Sequence, residues 1–291
     1  MDVKSMLFVG LGLGLAVWGV TVIRGGVAMP TAFQLAIGFV TAFLDTLGIG
    51  SFATTTAVYK LRDMVRVDLI PGTLNVGHTL STIAQAFIYT QIVPVDSTTL
   101  VLMIAAACVG SWLGAGVVVH WNRRKIQIGM GLALAGAAVL MLMTQLNLFP
   151  GGGDTLHLAG ARLAVGLAGN FTLGVLMMLG IGLYAPCMIL VSLLGMNPTA
   201  AFPIMMGSCA FLMPTGSVKF VRERKYDARA AIGLAVGGLP AVLIAAYLVR
   251  SLPLGAVRWL VVVVVVYTSI NMLVSAGRER RAADAAGALN A

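Results

Sequence analysis

The stretch "FLDTLGIGSFATTT", residues 43–56, places one carboxylate, two glycines and five hydroxyl side chains within apolar sequence. Glycine weakens a helix by about 1 kcal/mol relative to alanine, so the pattern predicts a helix that breaks near Gly48 and Gly50. Helices that begin at such a break present backbone amides with roughly half a positive charge to an anion. With Ser51 and Thr54 expected to line the opening, the residue types favour anion binding. Tight helix packing is the alternative explanation for the glycines.

A second polar stretch, "IPGTLNVGHTLSTIAQ", covers residues 70–85. Asn75, His78, Thr79 and Thr82 are spaced by three or four residues, so they share one face of a helix, and Gln85 continues it. We expect this face to point at the first break. The stretch "FPIMMGSCAFLMPTGSVK", residues 202–219, is less polar but offers Ser208.

Two ionisable residues lie in apolar surroundings, Asp45 and His78. An aspartate near the centre of a membrane helix costs about 2.5–3.5 kcal/mol and marks a transport pathway or proton relay. Capping of a short helix is the other role that fits Asp45. For His78, a packing role and a ligand role both fit the pattern.

Motifs of metal binding and catalysis were searched for and not found. Cys108, Cys187 and Cys209 lie within apolar stretches without CxxC spacing, which predicts neither a disulfide framework nor a zinc site. HExxH, P-loop and GxSxG patterns are absent from the sequence, so enzymatic chemistry is unsupported. We expect no cofactor and no metal.

The composition is that of an integral membrane protein. Of the 291 residues, 59% are hydrophobic and 10% are charged, against about 25% charged in soluble domains. Apolar stretches of membrane-spanning length, about 20 residues, recur along the chain with short loops between them, which predicts one polytopic all-α domain over residues 1–291. The basic residues behind the net charge of +9 cluster between apolar stretches, as in cytoplasmic loops, so nucleic-acid binding is not expected.

The chain contains an internal repeat. A shift of 132 residues places the LGIG of residues 47–50 on the LGIG of residues 179–182 and Pro71 on Pro203. We interpret residues 31–146 and 163–276 as two repeats, preceded by an extra helix (1–30) and followed by a cytoplasmic tail (277–291). The second motif adds Gly180, Gly182 and the following Tyr184 to the candidate site.

The segments that open the repeats, residues 31–59 and 163–195, would form helices of about 44–50 Å, too long for a hydrocarbon core of about 30 Å. We therefore predict two re-entrant, broken hairpins. If both return to the side they entered, all basic clusters fall on the cytoplasmic face, the repeats are inverted, the N-terminus is outside and the C-terminus is inside. The clusters are Lys60, Arg62 and Arg66; Arg123, Arg124 and Lys125; Lys219, Arg222, Arg224, Lys225 and Arg229; and Arg278, Arg280 and Arg281. Seven full spans are predicted near residues 6–23, 69–93, 99–119, 126–146, 200–218, 230–249 and 257–276.

The two glycine-containing hairpins, the proline-bearing helix after each, and the chain length resemble the sulfite exporter TauE/SafE family, also called the toluene sulfonate uptake permease family. The family motif G-x-G-G-G followed by proline corresponds here to residues 47–51 and 179–183. The proline is kept as Pro186 in the second copy, while Thr54 stands at the matching place in the first. The resemblance implies a bacterial inner-membrane permease for small sulfur-containing anions, such as sulfite or organosulfonates, driven by a proton or sodium gradient.

The leading hypothesis is a secondary transporter of a small anion that works by alternating access in the lipid bilayer, with Asp45 in coupling. A proton- or cation-conducting channel that uses Asp45 and His78 is the first alternative. The second is a non-transporting scaffold whose polar stripe at residues 75–85 binds a partner, and a homo-oligomer is left open. The candidate substrate-binding residues are Gly48, Gly50, Ser51, Thr54, Asn75, His78, Thr79, Gly180, Gly182, Tyr184 and Ser208.

Overall fold

The computed structural model describes residues 3–148, 151–248 and 255–289. Over these ranges the chain forms eleven α-helices and no strands beyond one isolated bridge between Thr155 and Met196, which confirms the predicted all-α class. The ends of the chain at residues 1–2 and 290–291, the end of the predicted span 230–249, and the side chains of Arg280 and Arg281 lie outside the described residues. The helices are α1 (Val3–Gly25), α2 (Ala32–Thr46), α3 (Ser51–Leu61), α4 (Ile70–Ile92), α5 (Ser97–Val118), α6 (Arg123–Gln145), α7 (Gly160–Met177), α8 (Tyr184–Leu193), α9 (Ala201–Arg222), α10 (Ala228–Leu248) and α11 (Gly255–Leu289).

Within the described ranges, seven helices are long and apolar enough to cross a membrane. The predicted number is confirmed, but one member differs. Helix α4, predicted as a span, is long enough to cross a membrane with its 23 residues, but its mean hydropathy is too low. Helix α7, predicted as half of a hairpin, is both long enough and apolar enough without its partner α8. The reason is burial: the polar side chains of α4 face other helices rather than lipid. The seven segments are Ser5–Gly25, Ser97–Val118, Arg123–Gln145, Gly160–Met177, Pro198–Arg222, Ala228–Tyr247 and Val261–Arg278.

Both segments that open the proposed repeats are broken at the LGIG motif. Helix α2 ends at Thr46 and α3 begins at Ser51, while α7 ends at Met177 and α8 begins at Tyr184. Three motif glycines adopt positive φ angles, +87° at Gly48, +89° at Gly50 and +94° at Gly180. Residues with a Cβ rarely adopt this conformation, so the glycines are what allow the chain to leave the helix there.

The broken pairs fold back on themselves. The guanidinium carbon of Arg62, just after α3, lies 5.6 Å from the centre of the Phe33 ring at the start of α2. In the second pair, a Cβ added to Gly195, just after α8, would lie 3.4 Å from Nη1 of Arg162 at the start of α7. Each pair therefore returns to the end of the bundle from which it started, as a re-entrant hairpin does.

The two pairs open at opposite ends of the bundle because α4 and α9, which follow them, pack antiparallel. The backbone amide of Asp227, after α9, donates to Oγ1 of Thr73 at the start of α4 over 2.9 Å. At the other end, the rings of Tyr89 and Phe202 stack with centres 5.5 Å apart. Inverted repeats require such an antiparallel arrangement of α4 and α9. The inversion across a membrane itself stays a prediction.

The main contacts between helices are equivalent in the two proposed repeats. Helix α2 packs on α10 as α7 packs on α5, and α4 packs on α10 as α9 packs on α5, while α4 with α9 and α6 with α11 pair with their own counterparts. The extra helix α1 packs on α9 and α4, where the indole nitrogen of Trp18 donates to the carbonyl of Val76 over 2.9 Å. The breaks thus lie between the α4–α9 pair and the α6–α11 pair.

Candidate functional site

The two helix breaks meet at the centre of the bundle. A Cβ added to Gly48 would lie 2.7 Å from the Tyr184 hydroxyl, and one added to Gly182 would lie 3.7 Å from Cβ of Phe52. The first distance is shorter than the contacts that Cβ atoms make in proteins, so a glycine at position 48 allows the second turn to approach this closely. The second distance is an ordinary van der Waals contact.

A cavity of about 40 Å³ lies between the breaks. This exceeds the ~10–15 Å³ needed to hold one water molecule, so a small polar guest fits with little rearrangement. Both breaks and both central helices, α4 and α9, contribute to its wall. The lining residues are Asp45, Gly50, Ser51, Phe52, Thr82, Gln85, Met177, Gly182, Leu183, Tyr184, Met205, Met206 and Cys209.

Two short helices begin at this cavity. Ser51 is the first residue of α3 and Tyr184 is the first residue of α8, and both line the cavity. The starts of α-helices carry unpaired amides and a partial positive charge. Two helix dipoles therefore converge on one small space, without any lysine or arginine in its wall.

The Asp45 carboxylate is held by a hydrogen-bond network at the end of α2. Its Oδ1 accepts from the Ser51 amide over 2.8 Å, and its Oδ2 accepts from Nε2 of Gln85 over 3.0 Å. The same Gln85 nitrogen donates to Oγ1 of Thr46 over 3.0 Å, and the Tyr89 hydroxyl donates to the Thr46 carbonyl over 2.9 Å. Asp45 thus caps α3, one of the two roles expected for it. Its role in proton coupling stays a prediction.

The polar stripe of α4 faces the broken hairpins as predicted, but only its later part reaches the cavity. Thr82 and Gln85 line the cavity, whereas Asn75, His78 and Thr79 are fully buried between helices. Asn75 and His78 connect α4 to other elements, whereas Thr79 bonds within α4. Asn75 Nδ2 donates to the carbonyls of Pro71 (2.9 Å) and Met177 (3.4 Å), His78 Nε2 lies 3.0 Å from Oγ1 of Thr55, and Thr79 donates to the Asn75 carbonyl (2.6 Å).

Three further predicted residues lie away from the cavity wall. Thr54 donates to the carbonyls of Gly50 and Ser51 within its own helix, at 3.0 and 2.9 Å. Ser208 accepts from Nδ2 of Asn170 over 2.9 Å, which joins α9 to α7. Gly180 provides the second turn and lies near Leu74 and Met130. From the predicted set, the cavity wall therefore includes Asp45, Gly50, Ser51, Gly182 and Tyr184.

The cavity also has a sulfur-rich side that sequence reasoning missed. Met177, Met205, Met206 and Cys209 line it, and the sulfur atoms of Cys209 and Met177 lie 3.7 Å apart. Methionine in a membrane helix is indistinguishable from a packing residue by pattern alone. Gln85 was predicted to continue the α4 stripe, and it lines the cavity.

A second, apolar cavity of about 150 Å³ adjoins the first. The two share Gly50, Phe52, Gly182 and Tyr184. Its opposite wall is formed by α6, from Leu132 to Met141, and by Pro186. The smaller cavity, which has Asp45, Ser51, Thr82 and Gln85 in its wall, therefore meets the larger apolar one at Phe52 and Tyr184.

Within residues 3–148, 151–248 and 255–289, no group of three or more His, Cys, Asp or Glu residues lies close enough together to hold a metal ion. The described side chains therefore give no support to metal binding.

Comparison with known proteins yields one match. No curated protein and no solved structure matches the chain. The family model described as Sulfite exporter TauE/SafE matches residues 162–290, which cover α7 from its third residue and run through the end of α11. This part carries the second broken pair, with Gly180, Gly182 and Pro186. The carboxyl-terminal part of the chain, residues 162–290, thus matches the sulfite exporter TauE/SafE family and confirms the resemblance predicted from the sequence.

Proposed function

We propose that the protein is a secondary transporter of a small sulfur-containing anion, sulfite or an organosulfonate, and that the cavity between the helix breaks is its binding site. The family is one of membrane transporters, and the seven apolar helices agree with a multi-pass membrane protein. The observation that carries the proposal is the convergence of two broken hairpins, which open at opposite ends of the bundle, on one cavity. Irregular backbone at membrane depth is tolerated where it is buried in protein or lines a cavity, and transporters use such breaks to bind ions.

The anion would be held mainly by main-chain dipoles. The starts of α3 and α8 supply amides and partial positive charge, while Thr82 and Gln85 offer side-chain donors. The wall contains no lysine or arginine, so the anion is not trapped by a full opposite charge. Moderate binding of this kind suits a transporter, which must also release its substrate.

Asp45 makes binding depend on protons in this proposal. An ionised carboxylate in the wall repels an anion in the same cavity, so the substrate binds best when Asp45 carries a proton. Gln85 can respond to the protonation of Asp45, because its Oε1 is buried without a hydrogen-bond partner among the described residues. A flip of the amide lets Oε1 accept from the protonated carboxyl group and frees the Nε2 donors for the anion.

Alternating access follows from the opposite openings of the hairpins. Rocking of one proposed repeat against the other, about the antiparallel α4–α9 pair, exposes the cavity first to one end and then to the other. The basic residues at the ends of α3 and α9 and at the start of α6 indicate the cytoplasmic end by the positive-inside rule. We accordingly propose a bacterial inner-membrane protein with an outside N-terminus and a cytoplasmic C-terminus.

The adjoining apolar cavity favours an organosulfonate over bare sulfite. A sulfonate group fits between the helix starts, while an organic substituent extends past Phe52 and Tyr184 into the apolar space. The methionine and cysteine sulfurs on the α9 side are polarisable and suit either anion.

The test is uptake by proteoliposomes under an imposed pH gradient, with labelled sulfite and a series of sulfonates. Gly182→Leu is the site variant, because its side chain would enter the cavity, and Gly12→Leu on α1 is the matched control, since a Cβ there meets nothing within 4 Å. We expect gradient-driven flux in the wild type and the control, and its loss in Gly182→Leu. Absence of flux for a wide panel of anions would refute the proposal.

The structure gives the alternatives less support. His78, expected in a cation pathway, is bonded to Thr55 and does not line the cavity. The polar stripe of α4, the partner surface of a scaffold, lies inside the bundle, with Asn75, His78, Thr79 and Gln85 at 0% exposure. Asp45→Asn separates a channel from the anion transporter, because a cation pathway would lose conduction, whereas an anion site would keep binding.

A further inference from the structure

A groove with three arginines lies between the ends of α1 and α9, far from the helix breaks. Its volume is about 270 Å³. Helix α1 approaches α9 closely here, since a Cβ added to Gly25 would overlap Cγ1 of Val221. The lining residues are Val20, Thr21, Arg24 and Gly25 on the α1 side and Val218, Val221, Arg222 and Arg224 on the α9 side.

The rim of the groove is positively charged and unneutralised. Arg24, Arg222 and Arg224 are exposed, and no carboxylate belongs to the lining. Across the described part of the chain the one salt bridge joins Arg66 to Asp68, so none of the three arginines is paired with an acid. Guanidinium groups form forked hydrogen bonds that match the oxygens of a phosphate group.

Three valines complete the wall of the groove. Val20 and Val218 precede Arg24 and Arg222 by about one helical turn, Val221 also lines the groove, and the neighbouring face of α1 exposes Val17 by 50% and Ile23 by 70%. Because α1 has the length and hydropathy of a membrane span, this face is adjacent to lipid in a membrane. The groove therefore passes from cationic to apolar in the direction in which a phospholipid passes from phosphate to acyl chain.

We propose that this groove binds the headgroup of an anionic phospholipid, with the phosphate between the three arginines and the glycerol backbone and first acyl carbons against the valines. The bound lipid holds the end of α1 against α9, the helix that also supplies Met205, Met206 and Cys209 to the central cavity. A free phosphate ion would use the arginines but not the valines. The binding site goes beyond the proposed transport function and does not depend on it.

The test compares lipid binding by the purified full chain. Phosphatidylglycerol and phosphatidylcholine with identical acyl chains are titrated in detergent, with binding measured by native mass spectrometry and by the thermal unfolding temperature. The groove variant carries Arg24→Gln, Arg222→Gln and Arg224→Gln. The matched control carries Lys60→Gln, Arg124→Gln and Arg229→Gln, which remove the same charge elsewhere.

We expect phosphatidylglycerol to bind and stabilise the wild type and the control, and phosphatidylcholine to do neither. Affinity should fall about fivefold per arginine and roughly 100-fold in the triple variant. Should the triple variant fail to fold, Arg224→Gln alone supplies the fivefold comparison. Equal affinity of the groove variant and the control would overturn the proposal, as would equal stabilisation by inorganic phosphate or by phosphatidylcholine.

Discussion

Both helix breaks contain glycines with positive φ angles, but the side chains around the two breaks differ. In the first break, Asp45 accepts from the Ser51 amide and from Gln85. Its equivalent under the 132-residue shift is Met177, whose sulfur contacts Cys209. The first break therefore carries a carboxyl group, whereas the second carries none. In the proposed function, both halves would supply the main-chain anion site, whereas dependence on protons would come from the first half alone.

Away from the breaks the halves resemble each other more closely. Asp96 caps α5 by accepting from the Thr99 amide over 2.8 Å, and Asp227 caps α10 by accepting from the Ala230 amide over 2.8 Å. The asymmetry at the cavity is therefore not repeated at these two caps. Variants made in equivalent pairs test how far it extends.

The largest effect is expected from Gly48→Ala compared with Gly180→Ala. Both positions have positive φ angles, which cost a side-chain-bearing residue about 1–2 kcal/mol. At Gly48 the Cβ would also overlap the Tyr184 hydroxyl, whereas at Gly180 the nearest atom is the flexible end of Met130 at 3.3 Å. Overpacking adds about 1–3 kcal/mol, so thermal unfolding in detergent should show Gly48→Ala to be the more destabilised. An equal loss in both variants would contradict the close contact of the turns.

The next effect is expected on transport. Asp45→Asn removes the ionisable group but keeps an oxygen that can cap α3, so substrate binding should persist and gradient-driven accumulation should be lost. Met177→Leu, at the equivalent position, should retain both. Binding measured at pH 5 and pH 7 checks the cause: wild type should bind more tightly at pH 5, because a neutral Asp45 does not repel the anion, and Asp45→Asn should bind equally at both. Stronger wild-type binding at pH 7 would exclude this coupling.

Gln85→Leu and Ser217→Ala form a third pair at equivalent positions of α4 and α9. Loss of Gln85 removes a donor to Asp45 and to Thr46, and we expect destabilisation of about 1–3 kcal/mol. The Ser217 hydroxyl is buried without a hydrogen-bond partner among the described residues, so its removal should be neutral or slightly stabilising. Thermal unfolding of the two variants measures the difference. Equal destabilisation would place a polar network in the second half as well.

The smallest effect concerns the matched caps. Hydrogen bonds from the Thr99 backbone and hydroxyl lower the pKa of the Asp96 carboxyl group. Because the folded-state pKa is depressed, this stabilisation is fully present above the unfolded pKa of about 3.9 and is lost as the pH falls through the lower, folded-state pKa. At pH 7, Asp96→Ala and Asp227→Ala should each cost about 0.5–2 kcal/mol, with Asp96 at the lower end because solvent screens it. A chemical-denaturation series at pH 7 compares the two, and a cost at Asp227 alone would show that the caps are not equivalent.

Much of the fold was predictable because the membrane restricts what a chain can do. Long apolar stretches must form helices, and paired glycines in a segment too long for one crossing must break it. The repeat then predicted a second break at Gly180. Hydropathy alone selects α7 rather than α4 as a span, because hydropathy measures suitability for lipid contact, while the polar face of α4 is surrounded by protein.

Placement within the candidate site was harder to predict. Helical spacing placed Asn75, His78, Thr79 and Gln85 on one face, but it could not tell which of them reach the cavity. Thr82 and Gln85 do so, because the breaks lie beside the later turns of α4. The sulfur-rich wall from α9 carries no pattern that distinguishes it from packing.

The sequence by itself determined a helical membrane protein with two glycine-dependent breaks, since these follow from local backbone preferences and from the cost of unpaired amides in hydrocarbon. Tertiary structure alone decided that the breaks meet, that Tyr184 lies against Gly48, and that Asp45 caps α3 beside Gln85. The contacts of Tyr184 with Gly48 and of Gln85 with Asp45 join residues 40 or more positions apart, so their formation depends on how the helices pack rather than on any local preference of the chain.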